Sequence, residues 1–155
     1  MSGSYVIDRT LEIAAPADVV WEVITDFKRY GEWNPFILKC ESSLRPGDPI
    51  DLRVKLMSVP QPQREWISEH VPGQRFGYSM KPMPLGALSS KRAHSVEPQV
   101  SGHTLYHSHF ELNGWLMPVV RGLLGRRLEK GFAGMTTGIQ TRAEQLWTQR
   151  QSAGR

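Results

Sequence analysis

Three histidines of one short segment, His103, His107 and His109, are the residues most suggestive of chemistry in this sequence. Two histidines two positions apart on a β-strand point to the same side and could share a metal ion. The alternating positions form the more apolar face of the segment: Thr104, Tyr106, Ser108, Phe110 and Leu112. The histidines therefore fall on the solvent side. We predict no physiological metal site here, only incidental affinity for zinc or nickel.

Arg9 is the second candidate, because it interrupts the apolar face of the first predicted strand. Ile7, Leu11 and Ile13 share its parity, so its stem is expected among buried side chains. A buried guanidinium without a partner is strongly destabilising, which favours an acidic partner or an anionic ligand for Arg9. The alternative is that the aliphatic stem carries the charge to water.

The sequence contains no complete catalytic motif. Tyr106 could donate a hydrogen bond to a carbonyl or simply fill the core. Serine, histidine and carboxylate groups cannot be placed together on an apolar face from spacing alone, and glycine-rich phosphate loops and clustered cysteines are absent. Catalysis would then depend on one positioned acid or base in an apolar pocket. No cofactor is predicted.

The composition is that of one globular domain. The chain has 155 residues, of which 39% are hydrophobic and 22% are charged, enough to bury a core. Cys40 is the single cysteine, the N-terminus lacks a secretory pattern, and no window approaches the roughly 18 apolar residues of a membrane span. We therefore predict a cytoplasmic protein without stable membrane insertion. The net charge of +4 is mild and its basic residues are mostly scattered, which argues against nucleic-acid binding.

The elements that must position these side chains follow from the hydrophobic periodicity. A strand over 5–14 precedes two short helices, the second of which ends at Asn34 and Pro35. Further strands, separated by proline and glycine turns, are predicted over 36–43, 50–56, 64–69, 74–80, 92–97 and 103–112. The segment 81–88 is interpreted as a loop clipped over the core, with a functional lid as the alternative.

A long C-terminal helix is predicted over 118–149. Five glycines lie within it, although each destabilises a helix interior by roughly 0.5–1 kcal/mol relative to alanine: Gly122, Gly125, Gly131, Gly134 and Gly138. Two explanations stay open. The glycines either permit close packing of the helix or leave room beneath it for a ligand.

The segment 13–36, IAAPADVVWEVITDFKRYGEWNPF, resembles the opening of START-like (SRPBCC) proteins of the polyketide cyclase/dehydrase group. The segments 94–98, 104–114 and 131–144 fit the same scheme, so the resemblance covers nearly the whole chain. It implies an α+β helix-grip fold in one domain over 1–155, with an ordered core of about 4–149. In that fold a bent antiparallel sheet of about seven strands wraps around the C-terminal helix, two short helices follow the first strand, and the interior holds a cavity.

The resemblance implies a binding function without naming a reaction, because members include cyclases, lipid and quinone carriers and receptors. Our leading hypothesis is binding or transport of an apolar or aromatic small molecule in a cavity of roughly 300 Å³ or more. The alternative is a cyclase or dehydratase acting on a polyketide-like or aromatic substrate. A third hypothesis is an interaction module that uses the basic segment 121–130 on an acidic partner. A homodimer is compatible with the sequence.

The candidate ligand-binding residues combine the apolar strand faces, one side of the long helix and the first polar candidates. Trp33 is also expected to anchor the short helices against the sheet. The set comprises Arg9, Trp33, Leu52, Val54, Tyr106, Ser108, Phe110, Met135 and Ile139.

Overall fold

Seven strands and three α-helices follow one another in the computed structural model, which describes residues 3–154. Residues 1, 2 and 155, at the ends of the predicted domain, lie outside the described residues. The elements are β1 (Tyr5–Ile13), α1 (Ala17–Thr25), a 3₁₀ turn (Phe27–Arg29), α2 (Tyr30–Trp33), β2 (Ile37–Ser42), β3 (Pro49–Val54), β4 (Gln61–Val71), β5 (Arg75–Ser79), β6 (Ser89–Pro98), β7 (Thr104–Asn113) and α3 (Met117–Ala153).

The strands form one antiparallel sheet in the order β1-β7-β6-β5-β4-β3-β2. β1 and β2, which flank the short helices in sequence, are thus the two edge strands. The hydrophobic core joins side chains of the sheet to the buried positions of α1 and α3. The predicted helix-grip architecture is confirmed, including the seven strands and the two short helices after the first strand.

The alternation of β7 is as the sequence predicts. Thr104, Tyr106 and Ser108 are buried, whereas His107 and His109 lie on the opposite, half-exposed face. The inward side chains meet the core because successive residues of a strand point to opposite sides of the sheet. β7 therefore has one face in the core and one face toward solvent.

Three glycines of α3, Gly131, Gly134 and Gly138, pack closely against residues 33–36, at the end of α2 and just after it. A Cβ atom at Gly131 would lie 2.4 Å from the ring of Phe36, and one at Gly138 would lie 2.9 Å from the carbonyl oxygen of Trp33. Such distances leave no room for a side chain. At these positions the hypothesis that glycine makes room for a ligand is wrong.

Among residues 3–154, no helix is both long enough and apolar enough to cross a membrane.

The loop between β5 and β6 contains a short 3₁₀ turn over Pro84–Gly86. Leu88, at its end, is half-buried and packs against the core, as a clip would. Leu85, at its tip, points away from the core and is 92% exposed. The loop thus has one apolar residue facing inward and another facing solvent.

Candidate ligand-binding site

A central cavity of about 230 Å³ lies between the sheet and the N-terminal half of α3. Apolar side chains of α3 form one wall: Val120, Leu124, Leu128 and Phe132. Apolar side chains of the sheet form the other wall: Leu52, Val54, Phe110 and Leu112. Leu56, Met80 and Leu88 complete the lining from the strand ends and loops. The cavity is therefore suited to an apolar or aromatic body.

At about 230 Å³ the cavity is smaller than the roughly 300 Å³ or more predicted from the sequence, so the predicted size is wrong. Half-buried side chains such as Leu56 and Leu88 form part of its lining. In this conformation the volume suits a molecule of one or two rings. A larger ligand would require these side chains to move.

Polar groups are concentrated on three neighbouring strands of the cavity wall. They are Gln63 and Glu65 on β4, Tyr78 on β5, and Ser90 and Arg92 on β6. Arg92 is paired directly with Tyr78 in the sheet register. The cavity thus has a polar wall facing an apolar helix, an arrangement that orients a ligand with one oxygen-bearing end.

Arg92 is a buried cation whose hydrogen-bond partners are all uncharged. Its side chain is 2% exposed. One terminal nitrogen, Nη1, donates to Ser108 Oγ at 2.7 Å and to the His109 carbonyl oxygen at 3.1 Å. The guanidinium carbon lies 4.7 Å from the centre of the Phe132 ring. Among residues 3–154, Arg92 Nε has no hydrogen-bond partner. Arg92 is therefore a buried charge in the cavity wall that keeps one donor unused, which is energetically unfavourable.

Glu65 is the acidic group of the cavity. Burial raises the pKa of Glu65 to about 7, and hydrogen bonds from Ser90 and Gln63 together with the Arg92 charge oppose that rise. Gln63 Nε2 donates to the Glu65 carboxyl at 2.8 Å. A carboxyl group with this pKa exchanges its proton near neutral pH, so it can act as an acid or a base there.

His94 and Tyr106 lie behind Arg92 in the same wall. Their Nδ1 and hydroxyl oxygen are 2.6 Å apart, and both side chains are fully buried. Burial, aided by the Arg92 charge, holds the pKa of His94 well below its usual range, so its imidazole is neutral. Burial also raises the pKa of Tyr106. The pair is a neutral hydrogen-bonded support for the cavity wall.

The structure distributes the candidate residues from the sequence over three environments. Leu52, Val54 and Phe110 line the cavity. Ser108 and Met135 lie one layer behind it and contact Arg92, at 2.7 and 3.7 Å.

The remaining candidates lie away from the cavity lining. Tyr106 and Ile139 are fully buried in the packed core. Trp33 is half-buried and lines a surface groove between α1 and α3, together with charged side chains such as Arg142 and Arg150. In this structure the three side chains do not line the cavity, and their roles in ligand binding stay predictions.

The prediction that Arg9 faces the cavity is wrong. Arg9 is exposed and lines a shallow cleft beside α3, with Thr136 and Gln140. It has the inward parity and pairs with Ser108, but at this position a cleft separates β1 from α3, so its side chain is open to water. The aliphatic stem therefore carries the guanidinium to water, as the alternative interpretation proposed.

Sequence reasoning missed Arg92 and Glu65, the two charged groups of the cavity. Strand parity held the necessary signal. Arg92 and His94 share the parity of apolar Val96 on β6, and Glu65 shares that of Ile67 on β4. Polar residues that share the parity of buried apolar residues are thus buried as well. On a strand inside the sheet, a charged side chain with that parity cannot reach water.

The histidine face lies outside the cavity, on the outer side of β7 and β1. His109 Nδ1 is 2.6 Å from an Asp8 oxygen, and His107 Nε2 is 3.3 Å from the same oxygen. The ligand atoms of these three side chains lie within 4.8 Å of one another, close enough to bind one ion. All three side chains are partly or largely exposed. The expectation of no physiological metal stays a prediction.

Several solved structures have this fold at low sequence identity. The Zhui aromatase/cyclase from Streptomyces sp. R1128 is 16% identical, with a TM-score of 0.74 over 92% of this chain and 94% of that one. A START superfamily protein from Mycobacterium smegmatis is 21% identical, with a TM-score of 0.69 over 93% and 99%. Truncated norcoclaurine synthase from Thalictrum flavum is 20% identical, with a TM-score of 0.65 over 90% and 92%. At these identities the likeness concerns the fold alone.

No curated protein matches the sequence. The family model described as polyketide cyclase / dehydrase and lipid transport matches residues 5–140, which is most of the chain and includes every strand and the cavity wall of α3. The chain therefore belongs to the polyketide cyclase / dehydrase and lipid transport family of START-like proteins.

Proposed function

We propose that this protein binds a small apolar or aromatic molecule that carries an oxygen-bearing polar group. The observation behind the proposal is Arg92, a buried cation in the polar wall of the cavity, whose Nε donor is unused among residues 3–154. Desolvating a guanidinium is unfavourable unless its donors are used, and a carboxylate, phenolate or carbonyl oxygen would use them. Family membership supports ligand binding in general.

The matched pair 1-naphthoate and naphthalene tests this proposal, because the two differ only in the carboxylate. We expect Arg92→Met to weaken the binding of 1-naphthoate by about 1.5–3 kcal/mol, or roughly 10- to 150-fold in affinity. This is the usual loss when a charged hydrogen bond is removed. Naphthalene should be nearly unaffected. Calorimetric titration of both ligands gives the comparison.

Arg9→Met is the matched control, since it removes an exposed arginine on the edge strand β1, away from the cavity lining. It should leave both affinities unchanged. If Arg92→Met unfolds, Arg92→Lys keeps the charge and removes the planar fork of donors, and should weaken 1-naphthoate alone. Equal losses for both ligands, or for both arginines, would contradict the proposal.

A second candidate function, catalysis of a cyclase type, is supported by Glu65. Its pKa of about 7 suits a general base at neutral pH, and Arg92 lines the same cavity. In this proposal the Glu65 carboxylate takes a proton from the carbon beside a ligand carbonyl. The electron pair of the broken C–H bond moves onto the carbonyl oxygen, where Arg92 stabilises the negative charge.

Proton exchange of α-tetralone in D₂O, followed by NMR, separates catalysis from binding. If Glu65 acts as the base, the wild type accelerates deuterium incorporation beside the carbonyl, and Glu65→Gln lowers that rate by roughly 10²–10⁴-fold. Glu41→Gln, on the exposed side of β2, is the control. Binding of α-tetralone without any exchange above buffer would leave the protein a carrier and exclude this reaction.

A further inference from the structure

The exposed apolar side chains of this protein are clustered around one side of the central cavity. Nine large apolar side chains are exposed in residues 3–154, and seven of them lie on only three segments: 55–60, 80–89 and 114–128. Each of these segments also supplies residues to the cavity lining, including Leu56, Leu88 and Leu124. Exposed apolar residues scattered singly need no explanation, but a contiguous group marks an interaction surface.

Two of the three segments are tied together by hydrogen bonds. Trp115 Nε1 donates to the Leu85 carbonyl oxygen at 3.1 Å, and Leu116 N donates to the Ala87 carbonyl oxygen at 2.9 Å. The polar atom of the indole is thus satisfied within the protein, while the side chain remains 59% exposed. Leu85 is 92% exposed although its φ of 61° lies in the left-handed region that disfavours leucine. The loop thus presents an apolar side chain to solvent.

The first turns of α3 continue this apolar surface. Val119 is 55% exposed and Leu123, one turn later, is 75% exposed. Residues four apart lie on the same side of a helix, so these two form a short stripe. On the third segment, Met57 and Val59 are exposed beside a groove shared with α3. That groove and the cavity have Phe36 and Leu56 in common.

The same three segments carry only positive charge. They contain five basic residues and no acidic residue: Lys55, Lys81, Arg121, Arg126 and Arg127. All five are exposed, and none forms an ion pair with any carboxylate in the part of the chain that the structure describes. Five positive charges exceed the net charge of the whole chain, which is +4, so the remainder of the molecule is close to neutral.

We propose that this surface, the three segments 55–60, 80–89 and 114–128, docks the cavity side of the protein reversibly on an anionic lipid membrane. Apolar side chains inserted at the level of the headgroups, flanked by lysine and arginine near anionic phosphates, are the combination that binds peripheral proteins to such membranes. An acidic protein partner would match the charge but would leave the 92% exposed Leu85 without a comparable apolar phase. Docking there would bring the cavity next to the lipid phase. The proposal does not depend on any ligand in the cavity.

Co-sedimentation of the full chain with vesicles tests the proposal without a cavity ligand. We expect binding to vesicles that mix phosphatidylcholine with phosphatidylglycerol, little binding to phosphatidylcholine alone, and weakening as salt rises. Leu85→Ser with Leu123→Ser should lower partitioning at least about tenfold, because each removes an apolar side chain from the interface. Val6→Ser with Val100→Ser is the matched control, since both valines are exposed outside this surface.

The charge contribution has its own pair of variants. Arg126→Gln with Arg127→Gln should lower binding to the anionic vesicles about tenfold or more, because each cation near such a surface contributes about 1 kcal/mol. Lys39→Gln with Arg45→Gln removes two exposed cations elsewhere and should change little. The docking proposal fails if vesicles of neither composition bind the wild type. It fails equally if all four double variants bind alike. Concentration-dependent self-association that only Leu85→Ser with Leu123→Ser abolishes would replace the membrane with a second copy of the chain.

Discussion

The two halves of α3 face different surroundings. In the half before Phe132, Val120, Leu124 and Leu128 face the cavity, and Val119 and Leu123 face solvent. The half after Phe132 faces the packed core instead. Its inner face buries Met135, Ile139 and Ala143. The contrast indicates that one end of the helix secures the fold while the other end keeps a space beside the sheet.

Polar contacts follow the same division. Arg142 contacts Glu32 at 2.8 Å and Arg150 contacts Glu22 at 2.6 Å, which join the C-terminal half to the short helices. Exposed pairs of this kind contribute little stability individually, about 0–1 kcal/mol. The close apolar packing should therefore account for most of the stability that this half supplies.

The largest expected effect is a difference in the free energy of unfolding between substitutions in the two halves of α3. Ile139→Ala should lower the free energy of unfolding by about 2–5 kcal/mol, because Ile139 is fully buried and its removal leaves a void. Leu124→Ala should lower it by only about 1 kcal/mol, since Leu124 is half-buried beside space that already exists. Urea unfolding of both variants gives the two values. Equal losses would mean that the cavity half is as tightly packed as the other.

The next effect belongs to the cavity and depends on pH. The pKa of Glu65 is about 7 in the folded protein and lies near 4.5 when the carboxyl is exposed, so the folded state holds this proton more tightly. The contribution of Glu65 to the free energy of unfolding should be fully present below about pH 4.5. It should decrease as the pH rises to about 7 and then stay lost. At about 1.4 kcal/mol for each pH unit, the total is on the order of 3 kcal/mol.

Glu65→Gln keeps the shape of the side chain and removes the titration. Its unfolding free energy should lack this fall between pH 5 and pH 8, measured relative to wild type. Glu41→Gln, which deletes an exposed carboxylate on β2, should keep the wild-type slope. Parallel pH profiles for wild type and Glu65→Gln would show that Glu65 is solvated and that the polar wall is open to water.

Two glycines of α3 should respond to alanine with opposite signs. At Gly131 the new methyl group would meet the buried Phe36 ring at 2.4 Å, so Gly131→Ala should destabilise by about 1–3 kcal/mol. A Cβ added at Gly122 would meet no side chain within 4 Å in the described part of the chain, and Gly122→Ala should stabilise the protein by roughly 0.5–1 kcal/mol through helix propensity alone. Thermal melts of the two variants provide the measurement. Two shifts of the same sign would contradict the close contact between α3 and Phe36.

The fold could be predicted from sequence because alternation and turn residues are local signals. β7 is the clearest case, since its parity alone separates the buried Tyr106 and Ser108 from the outward histidines. Arg9 and Arg92 show where that reasoning ends. Both have inward parity, but Arg9 borders a cleft beside α3 whereas Arg92 packs against the Phe132 ring, and the period of a single strand does not encode how the helix covers it.

The cavity was the least predictable feature, because a cavity forms where side chains fail to fill the space between the sheet and α3. The five glycines are compatible with a space under α3, yet Gly131 and Gly138 are in close contact with Phe36 and Trp33. The actual space lies beside Leu124 and Leu128, whose sequence spacing is that of any packed helix face. Only the three-dimensional register shows that no large side chain of the sheet fills it.

The smallest effect is expected outside both halves, on the histidine face. His107→Gln with His109→Gln should change the free energy of unfolding by no more than about 0.5 kcal/mol, because partly exposed polar pairs contribute little. The convergence of His107, His109 and Asp8 should produce only weak zinc or nickel binding that a chelator removes. His103→Gln, on the same face but outside this group, is the control for losing an imidazole. One equivalent of metal that survives chelation in the wild type and in His103→Gln, but is lost in the double variant, would make this face a true metal site. Metal analysis of the purified protein together with urea unfolding decides between the two outcomes. If the histidine face affects neither metal binding nor stability, the difference in packing between the two halves of α3 remains the main determinant of stability.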